Sequence, residues 1–179
     1  APETGALVTP LTGSPSVANL KGAANNGTPV AGTGVTQTQT SSVGASWDYT
    51  IGSGNDFVAG QIAWGYFDEN DVFQGTAAPV VTPLVLGLSG TADVKVKVEV
   101  VDHAGTVKSF YVTLGAGETH YSFDVSGLLD LALINLVVDK KNGGASGRVV
   151  LATSGLSYIP EAPETGALVT PLTGSPSVA

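Results

Sequence analysis

The side chains of this sequence that could do chemistry are few and far apart. Its two histidines are His103, in a predicted turn, and His120, at an outward strand position. Neither has a sequence partner in an arrangement typical of nucleophilic catalysis, there is no cysteine, and the glycines form neither a Gly-x-Ser-x-Gly elbow nor a phosphate-binding loop. A carboxylate pair for glycoside hydrolysis stays open, because any two of the 15 acidic residues could meet across a groove. We expect no enzyme, no catalytic residue and no cofactor.

Acidic side chains are concentrated in one short loop. Residues 68–71 read Asp-Glu-Asn-Asp and offer three carboxylates and an amide, the oxygen ligands that calcium prefers. The spacing departs from that of an EF-hand loop, because Val72 stands at the fifth position and no glycine follows it. Two interpretations stay open: a structural calcium ion held by Asp68, Glu69 and Asp71, or a solvated hairpin tip. The sequence favours the hairpin tip.

Aromatic rings are the other chemical resource, since sugar binding uses flat exposed rings beside carboxylates and amides. Tyr111 lies between the inward-facing Phe110 and Val112, so we expect its ring to be exposed, with His120 near it. Tyr111 and His120 are therefore the candidate sugar-binding residues. Four other rings share strand faces with isoleucines and are predicted to pack in the core: Trp47, Tyr49, Trp64 and Tyr66.

Charge and composition exclude several classes of partner. The 179 residues include seven Lys and Arg against 15 Asp and Glu, which gives a net charge of −8. No basic stripe is available to neutralise phosphates, so we expect no nucleic acid partner. No apolar run approaches the roughly 20 residues of a membrane span, so we expect no membrane insertion. Few lysines, many Thr and Ser and no Cys are typical of secreted microbial surface proteins, which predicts an extracellular or cell-surface location.

The elements that must position these residues are strands. Residues 91–101 alternate most clearly, with Val94, Val96, Val98 and Val100 on one side and charged residues on the other. A turn over residues 102–105 then leads to a hairpin partner over 106–114. Eight or more strands at short spacings, with one short helical turn predicted at 126–130, indicate an all-β jelly-roll β-sandwich.

An exact repeat divides the chain. Residues 1–18 recur letter for letter as residues 162–179. A tandem array explains this repeat, with an extended Thr/Pro-rich arm over 1–43, partly β, that joins or complements modules. A sandwich over 44–160 follows, and 161–179 opens the next repeat. Two alternatives stay open: an engineered duplication, and subunits in which a terminal segment of one completes the sheet of its neighbour.

Several segments together carry a family resemblance: WGYFD at 64–68, VVDHAG at 100–105, FYVTL at 110–114, YSFD at 121–124 and the final hairpin over 147–158. Their order resembles that of the galactose-binding-like jelly rolls, a fold shared by many carbohydrate-binding modules of secreted bacterial proteins. The resemblance covers residues 44–160. It implies a fold rather than a function, and it adds some support for a structural calcium ion, which this family often holds.

Two functional hypotheses follow. The first is a structural module of an extracellular tandem-repeat protein, which assembles with neighbouring copies into a filament, stalk or sheath through the repeated terminal segment. The alternative is a carbohydrate-binding module of a secreted enzyme or adhesin, with polysaccharide as its partner. The repeat and the missing catalytic chemistry favour the first hypothesis.

Overall fold

The computed structural model describes residues 9–10, 20–24, 32–39, 44–52, 56–80, 83–152 and 157–158. Their strands and one helical turn, in chain order, are β1 (Thr9–Pro10), β2 (Leu20–Ala24), β3 (Gly34–Gln39), β4 (Ala45–Thr50), β5 (Phe57–Ala63), β6 (Gly65–Phe67), β7 (Phe73–Gly75), β8 (Leu84–Gly90), β9 (Lys95–Val101), β10 (Val107–Thr113), β11 (Thr119–Phe123), β12 (Leu133–Asp139), α1 (Lys140–Gly143), β13 (Ser146–Leu151) and β14 (Ser157–Tyr158). The predicted all-β class and the β-sandwich are confirmed.

One layer of the sandwich is a seven-stranded antiparallel sheet. Its path runs β1-β14-β8-β13-β4-β3, and β11 pairs with β8. β8 is therefore flanked by β11 along one side and by β14 and β13 in succession along the other. β4 and β13 are joined on the outer face by Arg148, whose Nε donates to Asp48 Oδ1 at 2.6 Å. This pair ties together segments that lie 100 residues apart in the chain.

The other layer is a five-stranded antiparallel sheet in the order β10-β9-β12-β5-β2. The strand predicted over residues 91–101 is shorter and begins at Lys95, after a turn. Its alternation is present, because β9 turns Val96, Val98 and Val100 into the core with no exposed surface. β12 repeats the pattern beside it, and its inward residues face those of the seven-stranded sheet in one buried cluster. The largest fully buried side chains of that cluster are Trp47, Trp64, Ile62, Leu84, Leu86, Leu88, Leu131, Ile134, Leu136 and Leu151.

A small hairpin of β6 and β7 leaves the sandwich after β5, and it corrects one prediction. Trp47, Tyr49 and Trp64 are buried as expected, but Tyr66 is 59% exposed. The chain bends at Trp64, and β6 pairs with β7 alone, outside both large sheets. The predicted burial of Tyr66 assumed one continuous strand, but the core-facing strand ends at the bend. The prediction for Tyr66 is therefore wrong.

Part of the predicted arm belongs to the sandwich. β3 is an edge strand beside β4 in the seven-stranded sheet, and β2 is an edge strand beside β5 in the five-stranded sheet. Trp47 Nε1 donates to Gln37 Oε1 at 2.8 Å, which fixes β3 to β4 by a side-chain bond. The remainder of the arm, and the second copy of the repeat at 162–179, lie outside the described residues.

Helix is confined to one turn within the described ranges, and it is not where the sequence indicated. Residues 126–127 form a turn without a helix, whereas α1 occupies residues read as a loop. Asp139 caps α1, because its Oδ1 accepts from the backbone N–H of Asn142 at 2.8 Å. No helix in the described part of the chain is long and apolar enough to cross a membrane.

Candidate functional site

The outer face of the five-stranded sheet carries a shallow groove of about 340 Å³. Its lining comes from the outward-facing positions of three adjacent strands, β5, β12 and β9: Phe57, Ala59, Gln61, Asn135, Val137, Lys97 and Glu99. These positions alternate with the core residues, so the same pleat that buries the valines presents this set to solvent. The sheet therefore holds the groove on rigid strands rather than on loops.

Polar side chains cross the groove in register. Asn135 is paired with Gln61 on one neighbouring strand and with Glu99 on the other. Gln61 Nε2 donates to Asn135 Oδ1 at 2.7 Å. This bond leaves the other amide groups of both residues as donors and acceptors, and Glu99 adds a carboxylate beside them. The row offers hydrogen-bonding groups of both kinds at fixed spacing.

An ion pair lies next to this row. Lys97 Nζ is 3.0 Å from Glu99 Oε2, and both side chains are partly exposed. The hydrogen bond and the charge of Glu99 raise the pKa of Lys97, so the ammonium stays protonated at neutral pH. Because the pair is open to water, its effect on stability is small, whereas its charges remain accessible to a ligand.

Tyr111 borders the groove on the edge strand β10. It is paired with Lys97 in register, and its ring is 58% exposed, as the sequence predicted. Lys95 Nζ lies 4.9 Å from the ring centroid, a cation–π contact at the surface. The ring, the ion pair and the amide row extend across four strands, a distance of about 14 Å at the usual strand separation.

The second predicted sugar-binding residue lies elsewhere. His120 is on β11, opposite Gly87 of β8, and therefore belongs to the seven-stranded sheet. Its Nε2 is 3.3 Å from Glu118 Oε2. Tyr111 and His120 thus occupy outer faces of different sheets, and the structure does not bring them together.

The acidic loop forms the turn between β6 and β7. Asp68 Oδ1 accepts from the backbone N–H groups of Asn70 at 2.9 Å and Val72 at 3.0 Å, and its Oδ2 accepts from Gln74 Nε2 at 2.8 Å. The two backbone bonds lower the pKa of Asp68. Across the described ranges, no three Asp, Glu, His or Cys side chains lie where they could share a metal ion. Asp68, Glu69 and Asp71 are therefore placed as a hairpin tip whose first carboxylate orders the turn.

Sequence reasoning missed several residues that the structure joins. Gln61 and Asn135 were not singled out, and Lys97 and Glu99 were recognised only as charged residues on the outward side of a strand. The same alternation, applied to β5 and β12, predicts that both amide side chains face outward. It does not predict the hydrogen bond between them, because the two residues lie 74 positions apart in the chain.

A histidine–aspartate pair was also missed. His103 Nδ1 lies 2.6 Å from Asp130 Oδ2, and the backbone N–H of His103 donates to Asp130 Oδ1 at 2.8 Å. The pair lines a second groove of about 520 Å³, between the turn after β9 and the β6–β7 hairpin. No nucleophilic Ser, Thr or Cys with a bond to His103 is found among the described residues. The arrangement orients the imidazole and anchors the turn.

Comparison with known proteins gives similarity in fold. A point variant of a family 29 carbohydrate-binding module matches with a TM-score of 0.45 and 13% identity, over 77% of this chain and 92% of that chain. A family 61 module, solved with β-1,4-galactotriose, matches with a TM-score of 0.41 and 9% identity, over 79% of this chain and 88% of that chain. An exo-β-agarase matches with a TM-score of 0.46 and 11% identity, over 82% of this chain and 24% of that chain.

No protein-family model and no curated protein matches the sequence. Carbohydrate-binding modules, which the sequence resembles, are among the solved structures that match. At these identities the likeness concerns the fold, and the function must be argued from the site.

Proposed function

We propose that this chain is a carbohydrate-binding module, which binds an extended polysaccharide across the outer face of its five-stranded sheet. One observation carries the proposal: an exposed ring, Tyr111, stands at the edge of a flat groove whose floor presents amides, a carboxylate and an ammonium. Sugars offer apolar C–H faces and a rim of hydroxyl groups, and this combination matches both. The binding is proposed without catalysis, and the location as extracellular.

The geometry supports a chain that lies across the strands. Its length of about 14 Å accommodates several consecutive sugar units, from Tyr111 at one end to Gln61 at the other. Stacking on Tyr111 requires access to a ring face near Lys95. That side chain is exposed and its contact with the ring contributes about 0.5–1 kcal/mol, so a sugar can displace it at small cost.

The test is binding to insoluble polysaccharides and to a glycan array, with variants that separate the two sheets. Tyr111→Ala should abolish saturable binding or weaken it at least tenfold, and Asn135→Ala should weaken it several-fold. His120→Ala, on the other sheet, is the matched control and should bind like the wild type. Wild-type protein that binds no glycan, or a loss of binding in His120→Ala alone, would contradict the proposal.

A second proposed function is structural: a module of an extracellular assembly of neighbouring copies, such as a filament, stalk or sheath. The exact recurrence of residues 1–18 as 162–179 favours it. Electron microscopy of native material tests this role, and we expect filaments with an axial repeat of one module. Isolated particles at the native concentration would count against it. The two functions are compatible, because an array of weak sugar sites gains avidity.

A further inference from the structure

The repeated segment contributes an edge strand to the sandwich. Within the first copy, Thr9 of β1 is paired with Tyr158, and Pro10 with Ser157, in antiparallel register. The partner strand β14 is itself paired with β8 inside the seven-stranded sheet. β1 therefore lies outermost on the described path of that sheet, and it covers the free edge of β14.

A proline suits this position. Pro10 has no backbone N–H and cannot donate to a neighbouring strand, so it is tolerated on an edge strand, where its nitrogen can face away from the sheet. The segment is thus adapted to end a sheet rather than to continue it.

Within residues 1–179 the segment occurs twice, whereas the described residues contain one β14 strand. Thr170 and Pro171 stand in the second copy where Thr9 and Pro10 stand in the first, with all flanking residues identical. Both copies therefore offer the same backbone donors, the same proline and the same side chains to a β14 edge. When residues 1–18 cover that edge in their own molecule, residues 162–179 provide a second segment of the same sequence.

We propose that residues 162–179 of one molecule pair with the β14 edge of a second copy of this chain, in place of that copy's residues 1–18. The partner is a second molecule of the same sequence, and recognition is by strand addition through backbone hydrogen bonds. The inference rests on the proposed assembly role and names its joint. Exchange leaves the number of backbone hydrogen bonds at the β14 edge unchanged, because the second copy of the segment forms the bonds that the first copy loses.

The core of the described residues is formed by segments that follow the one exchanged. The buried residues of the hydrophobic cluster all lie between Ala45 and Leu151 in the described part of the chain. A variant that lacks residues 1–18 therefore keeps its core-forming strands. It should fold with the β14 edge open, and this makes it a receptor for the segment.

The experiment mixes a donor with such a receptor. The donor is the full chain, whose own edge is filled by residues 1–18, and the receptor is a variant restricted to residues 19–161, which has neither copy. We expect a complex of one donor and one receptor in size-exclusion chromatography with light scattering. Residues 1–161, which lack the second copy, are the matched control donor and should form no complex.

Three further arms test the specificity of the pairing. The full chain mixed with residues 1–161 should form less complex than it forms with residues 19–161, because the incoming segment must first displace residues 1–18 from the β14 edge. Thr170→Pro in the donor removes the N–H of the pairing residue and should lower the fraction in complex at least several-fold. If residues 19–161 fail to fold, the full chain with Thr9→Pro and Thr170→Pro serves as the receptor instead.

The outcomes separate this joint from the assembly role. The inference is overturned if the full chain forms no complex with a folded receptor. It is also overturned if residues 1–161, used as the donor, form a complex with that receptor equally well. Native filaments together with that negative result would keep the assembly role and move its joint elsewhere. A complex of the expected composition supports strand exchange even if native filaments are absent.

Discussion

The indole ring of Trp47 fills the space that a side chain at residue 60 would occupy. A Cβ placed on Gly60 would lie 2.6 Å from Trp47 Cδ2, and 2.7 Å from two further ring atoms. Trp47 belongs to β4 of the seven-stranded sheet, and Gly60 belongs to β5 of the five-stranded sheet. The two layers therefore make a close approach where one residue has the largest side chain and the other has none.

Gly60→Ala should destabilise the fold, because the ring is buried and has no room to retreat. We expect a loss of about 1–3 kcal/mol in the free energy of unfolding, which is typical of overpacking. Urea denaturation followed by tryptophan fluorescence measures it. Gly34→Ala is the control, since no atom lies within 4 Å of its added Cβ, and it should be neutral or slightly stabilising. Equal effects of the two substitutions would disprove the close contact.

Asp102 is the buried centre of the turn after β9. Its Oδ1 accepts from the backbone N–H groups of Ala104 at 3.0 Å and Thr106 at 2.8 Å, and its Oδ2 accepts from that of Leu129 at 3.1 Å. Asp102→Ala leaves these three donors unpaired, so we expect a loss of about 2–4 kcal/mol. Asp48→Ala breaks an exposed ion pair and should cost less than about 1 kcal/mol. Chemical denaturation of both variants distinguishes the two environments.

The same carboxylate makes stability depend on acid. Burial raises the pKa of Asp102, but the hydrogen bonds from Leu129, Thr106 and Ala104 outweigh it, and the net pKa lies below the ordinary 3.8. The folded protein therefore binds this proton less readily than the unfolded chain does. The stabilisation is present above pH 3.8 and is lost as the pH falls through the lower, folded value. Asp102→Asn should reduce the dependence of the unfolding free energy on pH in this acidic range. An unchanged dependence would contradict the assignment of this effect to Asp102.

Tyr49 offers a test of a buried hydroxyl. Its OH donates to the carbonyl of Gly143 at 2.7 Å, and burial raises the pKa of the phenol. Tyr49→Phe leaves that carbonyl without this donor, so the unfolding free energy should fall by about 1–2 kcal/mol. Tyr121→Phe is the matched control, because its OH donates to the Thr113 carbonyl at 2.7 Å in an exposed position. Its loss should cost less, since water replaces the bond.

Calcium should leave the stability of the protein unchanged. The oxygens of Asp68 already accept from Asn70, Val72 and Gln74, which orders the loop without an ion. We expect the same melting midpoint in calcium and in chelator, measured by differential scanning calorimetry. Asp68→Ala should lower the midpoint equally in both conditions. A midpoint that falls only in chelator would instead support Asp68, Glu69 and Asp71 as calcium ligands.

Local alternation was enough to predict much of the fold. Val96, Val98 and Val100 face the core as expected, and the turn over residues 102–105 returns the chain to a partner strand. Tyr111 is exposed because its neighbours face inward, which is a local property. Such predictions hold wherever a strand continues without a bend.

The remaining features depend on contacts between distant segments. The exposure of Tyr66 follows from a bend and from the absence of a third strand beside its hairpin in the described part of the chain, neither of which alternation reports. The carboxylate of Asp102 reaches Leu129 across 27 residues. Only part of the candidate site could be predicted, for the same reason. The exposed ring of Tyr111 follows from local alternation, whereas the amide side chains of the groove come from strands that only the folded sheet brings side by side.

The pairing of β4 with β13 has a consequence for synthesis on the ribosome. Asp48 leaves the ribosome 100 residues before Arg148. At about 5–20 residues per second, β4 waits on the order of 5–20 s for β13 to be made. During that interval β3 is the neighbour in the seven-stranded sheet that is already available to β4. The other edge of β4, which β13 covers in the folded protein, therefore stays open to pairing with other chains until β13 has been made.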